Sequence, residues 1–575
     1  MATGDLDRDG DLDVVLVGRE PDTGAPVARL YRNDAGSFTA VSATLPGSSN
    51  ATLDFGDYDG DGDLDLLLMG DAAADVFRND GDFVFTPLGL GLPRVKSLGI
   101  LVEVINTASA AWGDYDNDGD LDILLSGGLS GQNVLAPTLL LRNDEGAFVP
   151  QMASGFDALE GGSVEWGDVD NDGDLDVLAT SRPGPSVGVS ATTIYRNDGE
   201  RFTALNTDLP GPGFGSARWG DFDNDGFLDV LLARATGTEE TTEVFRNLRD
   251  NRGFAAVEAG LPNANYGAWL DFDHDGRRDV LLNRSTAGKR GAVALDLYRN
   301  LDAEGGFADA GANLEGVWFG SIATADLDGD RTLDILAAGQ LTDDDGTLLD
   351  EAVLYYRNTA LANAAPTPPH NLRSTFNQDD LVLEWDAATD PGNPSAALTY
   401  NVRVGTAPGA EDVVPAMALE TGERLIPAAG NAGYRTRLVV RGLDPAQTYY
   451  WSVQAVDAAF AASPFAADRG TAVSGADAGN EMPEAPALLG NYPNPFNPGT
   501  TIRYALPASA PVRVTVYNML GREIATLVDG VRPAGAHEVY WDGRDALGRT
   551  VPSGLYLYRL ETPRQTSSRT MTLLK

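Results

Sequence analysis

No cysteine occurs among the 575 residues, which excludes disulfides, thiolate metal centres and thiol nucleophiles. Histidine is nearly as scarce: only His274, His370 and His537 offer an imidazole. Lysine is limited to Lys96, Lys289 and Lys575 against 38 arginines, a bias shared by salt-adapted and GC-rich bacterial proteins. No apolar run reaches about 18 residues, so no helical membrane span is predicted. Basic charge is also short, leaving a formal net charge of -44, and a surface of that sign does not suit nucleic acid. A chain that works outside the cell without disulfides needs another staple, and a bound cation can supply one.

Aspartate is what abounds, in one pattern. Nine-residue loops of the form D-x-D-x-D-G-x-x-D open at Asp5, Asp57, Asp114, Asp168, Asp221, Asp271 and Asp326, at intervals of 52, 57, 54, 53, 50 and 55 residues. They hold 32 of the 85 acidic residues, and the remaining 53 nearly balance the 41 basic ones. A period of this length marks an array of small sheets, none able to bury its own faces. Length alone suits about three or four domains at roughly 150 residues each.

A second marker keeps step with the loops: Tyr31-Arg32-Asn33, Phe77-Arg78-Asn79, Leu141-Arg142-Asn143, Tyr195-Arg196-Asn197, Phe245-Arg246-Asn247, Tyr298-Arg299-Asn300 and Tyr356-Arg357-Asn358. After six of these comes a glycine and then Phe38, Phe83, Phe148, Phe202, Phe254 or Phe307, opening a short alternating segment. Each repeat therefore reads as four strands: one before the loop, one after it, one ending in Arg-Asn and one opened by Phe. Val14 to Val17, Leu66 to Met69, Ile123 to Leu125 and Val230 to Leu232 are the apolar runs expected of strands covered on both faces. The predicted fold is all-β: a seven-bladed β-propeller over residues 1–362, then two Ig-like β-sandwich domains. Only Met1 to Gly4 precede the first loop, and no glycine-phenylalanine strand follows Asn358. The ring is thus predicted to be two strands short and to have lost upstream sequence.

Alternate carboxylates in a tight loop suit a hard cation that takes six to eight oxygens, and calcium is the predicted ion, up to seven in all. The ligand sets are Asp5, Asp7, Asp9, Asp11 and Asp13; Asp57, Asp59, Asp61, Asp63 and Asp65; Asp114, Asp116, Asp118, Asp120 and Asp122; and Asp168, Asp170, Asp172, Asp174 and Asp176. The remaining three are Asp221, Asp223, Asp225, Phe227 and Asp229; Asp271, Asp273, Asp275, Arg277 and Asp279; and Asp326, Asp328, Asp330, Thr332 and Asp334. Positions one, three, five and nine are aspartate in every copy, whereas position seven varies, as a ligand acting through its backbone carbonyl would allow. Position six is glycine in six copies, as a turn with positive φ requires; Arg331 is the exception, so the seventh site is expected to be the weakest. Positions two and eight are mostly apolar, as in Tyr58 with Leu64 and Phe222 with Leu228, and should anchor the loop to its sheet. His274 and Arg278 make the sixth loop less regular.

The text Phe55-Gly56-Asp57, Trp112-Gly113-Asp114, Trp166-Gly167-Asp168 and Trp219-Gly220-Asp221, each running into its loop, resembles the FG-GAP and VCBS repeat family, related to integrin alpha-subunit propellers. The chain departs from that pattern at Leu270 and at Thr324-Ala325. The resemblance implies calcium on one rim of the ring, with partners met on an opposite or lateral surface. Trp112, Trp166, Trp219 and Trp269 read either as a sugar-stacking set or, preferably, as wedges between neighbouring blades.

Beyond the stiff segment Pro366 to Pro369, the runs Leu381 to Trp385, Leu398 to Val404, Arg437 to Val440 and Tyr449 to Val456 alternate like sandwich strands. With Leu443-Asp444-Pro445, they resemble a fibronectin type III module over residues 366–473, with Trp385 and Tyr449 as core aromatics. A polar, acidic linker over 474–487 leads to Asn491-Tyr492-Pro493-Asn494-Pro495-Phe496-Asn497-Pro498, then Val516-Tyr517-Asn518, Leu520-Gly521, Ala534-Gly535, Trp541-Asp542-Gly543 and Ser553-Gly554. Residues 488–575 are thereby similar to the type A C-terminal sorting domain of the type IX secretion system. That resemblance implies type IX secretion machinery as a partner and secretion to, or display on, the surface of a Gram-negative, Bacteroidota-like bacterium. The leading expectation is a calcium-binding adhesion or recognition protein with an extracellular glycan or protein ligand, and not an enzyme. The alternatives are a polysaccharide lyase or glycosidase on the same scaffold, and a structural element of a surface assembly. No histidine stands poised for acid-base work in the ring, although a carboxylate pair distant in sequence stays open.

Overall fold

The Arg-Asn and D-x-D-x-D-G markers fall at strand ends in every repeat, and the register between strands shows why. In the computed structural model the residue just before each loop pairs with the ninth-position aspartate just after it: Gly4 with Asp13, Gly56 with Asp65, Gly113 with Asp122, Gly167 with Asp176, Gly220 with Asp229, Leu270 with Asp279 and Ala325 with Asp334. The loop is thus the hairpin connection between the first two strands of each sheet. The structure describes the chain apart from residues 21–22, 93–107, 128–137, 152–153, 158, 160–161, 182–189, 200, 214, 236–239, 250–251, 286–292, 343–347, 472–485, 493–498, 507–508, 519–521, 533–534, 542, 546–548, 564–565 and 574–575. The linker predicted at 474–487 therefore lies almost wholly outside the described residues, as do Pro493 to Pro498, Leu520-Gly521, Ala534 and Asp542 of the sorting-domain text.

Secondary structure is β throughout the described residues, apart from one 3-10 turn at Ser395–Ala397. The repeats form seven antiparallel sheets, within residues 2–41, 52–87, 108–150, 164–205, 216–257, 266–315 and 318–356. The first six run through four strands in sequence order, as propeller blades do, and the sixth adds the short strand Leu314–Glu315 against Val293–Asn300. The seventh has three: Trp318–Ala325, Asp334–Thr342 and Leu348–Tyr356. Second strands are covered on both faces; Leu66, Leu67, Leu68 and Met69 are each 0% exposed.

Two expectations are corrected. Ala2–Gly4 is a strand, paired with Asp13–Val15, so three residues suffice for a first strand, and among the described residues the seventh sheet alone has fewer than four. In the second repeat the fourth strand opens at Phe85, not Phe83. Gly81, Asp82 and Phe83 all have positive φ, so the turn continues two residues further before the strand begins.

Neighbouring sheets meet through aromatic rings. The Trp112 ring lies parallel to Tyr58 of the preceding loop, with centroids 6.2 Å apart, and Trp269 lies against Phe222 at 6.5 Å. Phe148 and Phe307 complete these clusters at 6.0 and 6.3 Å from the indoles. Each indole also covers the glycine that precedes the loop of the sheet before it: a Cβ on Gly113 would sit 2.7 Å from Trp166 Cδ1, and one on Gly220 would sit 2.5 Å from Trp269 Cδ1. Glycine stands there because an aromatic ring needs the space, not because φ demands it. Trp112, Trp219 and Trp269 are at most 9% exposed, which makes them wedges between sheets and not a sugar platform.

The described residues between 366 and 471 form a sandwich of two three-stranded sheets. His370–Asn377, Asp380–Asp386 and Arg437–Val440 face Thr399–Gly405, Tyr450–Val456 and Arg469–Gly470 across a core that includes Trp385, Tyr400, Tyr449 and Trp451. This module belongs to the same compact unit as the ring, Met1–Val473. The second unit, Ser474–Lys575, is a separate sandwich. Three strands (Ala487–Tyr492, Thr500–Leu506, Gly535–Trp541) pack on four (Ala510–Asn518, Glu523–Arg532, Gly554–Glu561, Thr566–Leu573) around Ile502, Tyr504, Val514, Trp541, Tyr558 and Met571. No helix among the described residues is long and apolar enough to cross a membrane.

Gly220→Ala should destabilise the ring by about 1 to 3 kcal/mol, because the added methyl has to displace the Trp269 ring. Thermal melting checks this: an unchanged melting temperature would show that the indole does not fix the spacing of neighbouring sheets.

Candidate metal centres

Every loop is folded around its own carboxylates. The first aspartate accepts the position-five N–H on Oδ1 at 3.0 to 3.2 Å and the position-six N–H on Oδ2 at 2.8 to 3.1 Å, in all seven copies. The fifth accepts the position-seven N–H at 2.9 to 3.0 Å. The ninth reaches back to the position-two N–H at 2.8 to 3.3 Å and across to the backbone N–H of the Arg-Asn asparagine at 2.7 to 2.9 Å. The seventh loop follows the same scheme although Arg331 replaces glycine, and its φ of 65° places a non-glycine residue in the left-handed region.

Position three is different. Oδ1 of Asp7, Asp116, Asp170, Asp223 and Asp273 is buried without a hydrogen-bond partner. The Asp223 side chain is only 9% exposed, with Arg246 Nε 2.8 Å from its Oδ2. Arg299 likewise holds Asp273, and Arg357 holds Asp328 and Asp330. In the fifth, sixth and seventh repeats the arginine of the Arg-Asn marker thus pairs with the position-three carboxylate, whereas Arg32, Arg78 and Arg196 pair with Asp34, Asp80 and Asp198. In the first five loops three aspartates bring one oxygen each within 4.8 Å of one another: Asp5, Asp7 and Asp13; Asp57, Asp59 and Asp61; Asp114, Asp116 and Asp122; Asp168, Asp170 and Asp176; Asp221, Asp223 and Asp225. A buried orphan oxygen beside two further carboxylates is the donor set a hard cation fits.

Position-seven side chains have no common partner. Asp11 and Asp120 accept the backbone N–H of Ala35 and Glu145, Arg277 pairs with Asp275, and Thr332 donates to Asp330. What they share among the seven copies is backbone, in keeping with the variation there.

Two elements of the site were not anticipated from the sequence. The asparagine of Arg-Asn donates from Nδ2 to the position-two carbonyl of the preceding loop at 2.7 to 3.1 Å, seven times over: Asn79 to Leu6, Asn143 to Tyr58, Asn197 to Tyr115, Asn247 to Val169, Asn300 to Phe222, Asn358 to Phe272 and Asn33 to Leu327. Position four also has positive φ; Asn117, Asn171 and Asn224 occupy it and donate to Gly173, Gly226 and Gly276 of the next loop at 3.2, 2.8 and 2.8 Å. Asparagine recurring at position four of three consecutive copies was the available signal. In the sixth loop His274 takes this place, its Nδ1 3.0 Å from the Leu361 carbonyl.

Burial dominates the electrostatics. It raises Asp57, Asp221 and Asp271 at position one to about 7. At position nine it raises Asp65, Asp176 and Asp279 to about 8, and Asp122 and Asp229 to about 9. Neighbouring aspartates in the same loop add to the rise and the backbone N–H groups oppose it. A divalent cation would reverse the balance by favouring the ionised form.

The FG-GAP-like repeat model matches residues 5–68, 57–125, 168–232 and 221–282, and the FlgD Ig-like domain model matches 496–565. The chain thus carries four matched FG-GAP-like repeats and one matched Ig-like domain. No curated protein matches the chain. Among solved structures it is similar to a lectin of Agrocybe aegerita that recognises non-reducing terminal N-acetylglucosamine, at 18% identity over 60% of this chain and 90% of that one, with a TM-score of 0.38. A fungal alcohol oxidase of the AA5 family in complex with copper gives 13% identity, 82% and 96% coverage and a TM-score of 0.41. PorZ, a surface component of the type IX secretion system of Porphyromonas gingivalis, gives 15% identity, 99% and 79% coverage and a TM-score of 0.17. At such scores the reading of this chain rests on its own residues.

A carboxyl whose folded pKa is raised contributes stability that is complete below its ordinary value, about 4, and is lost as pH rises through the folded value. In excess chelator the melting temperature should therefore fall steadily between about pH 5 and pH 9, the window set by Asp57, Asp65 and Asp122. Excess calcium should remove that fall, since the ion binds the ionised form. Equal slopes with and without calcium in a pH series of melts would refute the assignment.

Proposed function

We propose that this chain is an exported calcium-binding protein that acts at the cell surface in adhesion or ligand recognition, with the ring of sheets as a rigid platform for an extracellular glycan or protein. The observation that carries the reading is the set of buried, unpartnered Oδ1 atoms at Asp7, Asp116, Asp170, Asp223 and Asp273. Asp7, Asp116 and Asp170 stand beside the carboxylates of positions one and nine, and Asp223 beside those of positions one and five. Calcium would be held by positions one, three, five and nine together with the position-seven carbonyl, up to seven ions in all, and would supply the charge that buried carboxylates require.

The rest of the reading comes from sequence resemblance. Residues 366–473 act as a fibronectin type III-like module, and residues 488–575 as a type A sorting domain read by type IX secretion machinery. The FlgD Ig-like match over 496–565 is compatible with that role without specifying it. A non-catalytic role is favoured by the histidines: His274 is engaged by Leu361 within a loop, His370 is exposed beside Asp386, and His537 lies in the last sandwich.

Calorimetric titration of the chain with calcium should give stoichiometric uptake, and Asp223→Asn should lower the stoichiometry by one site while the protein stays folded. No calcium uptake would sink the metal reading. Binder and enzyme separate in a glycan array run with calcium and with chelator beside reducing-end release assays on polysaccharides. Calcium-dependent retention without release is expected, and turnover of any glycan would overturn the non-catalytic assignment.

A further inference from the structure

The loop rim is covered by another part of the same chain. Asp5 donates its N–H to the Leu425 carbonyl at 2.9 Å, and Leu425 packs in the core of the first two sheets with Met417, Leu419 and Ile426 against it. The Arg441 N–H donates to the Asn117 carbonyl at 2.7 Å, while its guanidinium reaches the Asp116 carbonyl at 3.1 Å and Asp174 Oδ1 at 2.7 Å. Arg435 Nε stands 2.9 Å from Asp168 Oδ2, with the two side chains only 14% and 8% exposed. From the rim side, Arg278 donates to the Ala458 carbonyl at 2.6 Å and lies over the Phe460 ring. The 366–473 sandwich is thus hydrogen-bonded to the first, third, fourth and sixth loops.

Covering an ionised carboxylate is costly unless an opposite charge comes with it. The sandwich brings such a charge to one first-position aspartate among the described residues, Asp168 through Arg435. Asp57 and Asp221 are more deeply placed, each 1% exposed, and receive no arginine in ion-pair range among the described residues, and Glu411 of the sandwich adds negative charge near Asp57.

We propose that divalent cations in the loops are what seat the sandwich on the rim, with Arg435 supplying the equivalent charge at the fourth loop. The inference rests on the calcium reading above. Metal loading and docking then stabilise each other by reciprocal linkage, so the module holds calcium in the ring as the calcium holds the module. While it is seated, the loop rim is closed to other partners, and recognition belongs to the remaining faces.

Hydrogen exchange on the intact chain tests this, with the Arg441 amide and the 417–426 segment as reporters of docking and Tyr450–Val456 as the sandwich's own core. Chelator should speed exchange at the reporters by roughly tenfold or more while Tyr450–Val456 stays protected. Arg435→Gln in calcium should speed the same reporters by a smaller factor. Unchanged reporters in chelator, with calcium uptake demonstrated by calorimetry, would overturn the coupling and leave the metal reading intact; no uptake would remove both. Equal acceleration at Tyr450–Val456 would also overturn it, since the module would then be unfolding and not undocking. An Arg435→Gln protein with wild-type exchange would remove Arg435 from the account.

Discussion

A carboxylate that is almost wholly out of water at the ninth loop position ties the ring together. Asp13, Asp65, Asp122, Asp176, Asp229, Asp279 and Asp334 are each at most 1% exposed, and each accepts two backbone N–H groups, one from its own loop and one from the Arg-Asn turn. That turn's asparagine then reaches the loop before it. One buried aspartate thus fixes three segments: the loop's entry, the third strand's end and, through asparagine, the neighbouring sheet. Hydrogen bonds to a charged acceptor are stronger than neutral ones, which is the advantage; desolvation of the charge is the cost.

On the proposed calcium reading, that cost would make a cation part of the architecture and not an ornament on it. Positions one, five and nine accept backbone N–H groups, so they shape the loop and present their remaining lone pairs inward. Position three has an unpartnered oxygen in five loops and an arginine steadying the other side in several. The loops are consequently unequal. Arg357 pairs with both Asp328 and Asp330 in the seventh, so a guanidinium competes there for two of the four carboxylates, a second reason beside Arg331 for that site to be the weakest.

Periodicity made the sheets legible, because a loop that joins two adjacent strands has to recur with them. Internal comparison of the seven copies separated the four invariant aspartates from the variable seventh position without any relative. Three things were hidden for physical reasons. The asparagine clasp joins residues as far apart as Asn33 and Leu327, and no local pattern states which neighbour a side chain will reach. Gly56, Gly113, Gly167 and Gly220 stood in the sequence only as part of a recurring motif, yet they are there because tryptophan of the next sheet lies on them. The short strand Ala2–Gly4 was discounted because three residues carry little pattern, although pairing with Asp13–Val15 suffices to order them.

Closure of the ring uses the same device as its internal joints. The last sheet has three strands among the described residues and meets the first through side chains: Asn33 donates to Leu327, and Leu12 and Val14 pack with Ala325, Leu327 and Leu336. A contact spanning 294 residues carries a loop-closure entropy that grows only logarithmically with length, which a modest apolar seam and an amide-to-carbonyl hydrogen bond offset in part. Because the Asn33 backbone is held by Asp13 and Leu327 belongs to the seventh loop, the seam joins the first and seventh loops directly. Ionisation of the rim therefore bears on closure as well as on each sheet: the first and last loops carry like charges at the seam, and neutralising either makes the ring easier to shut.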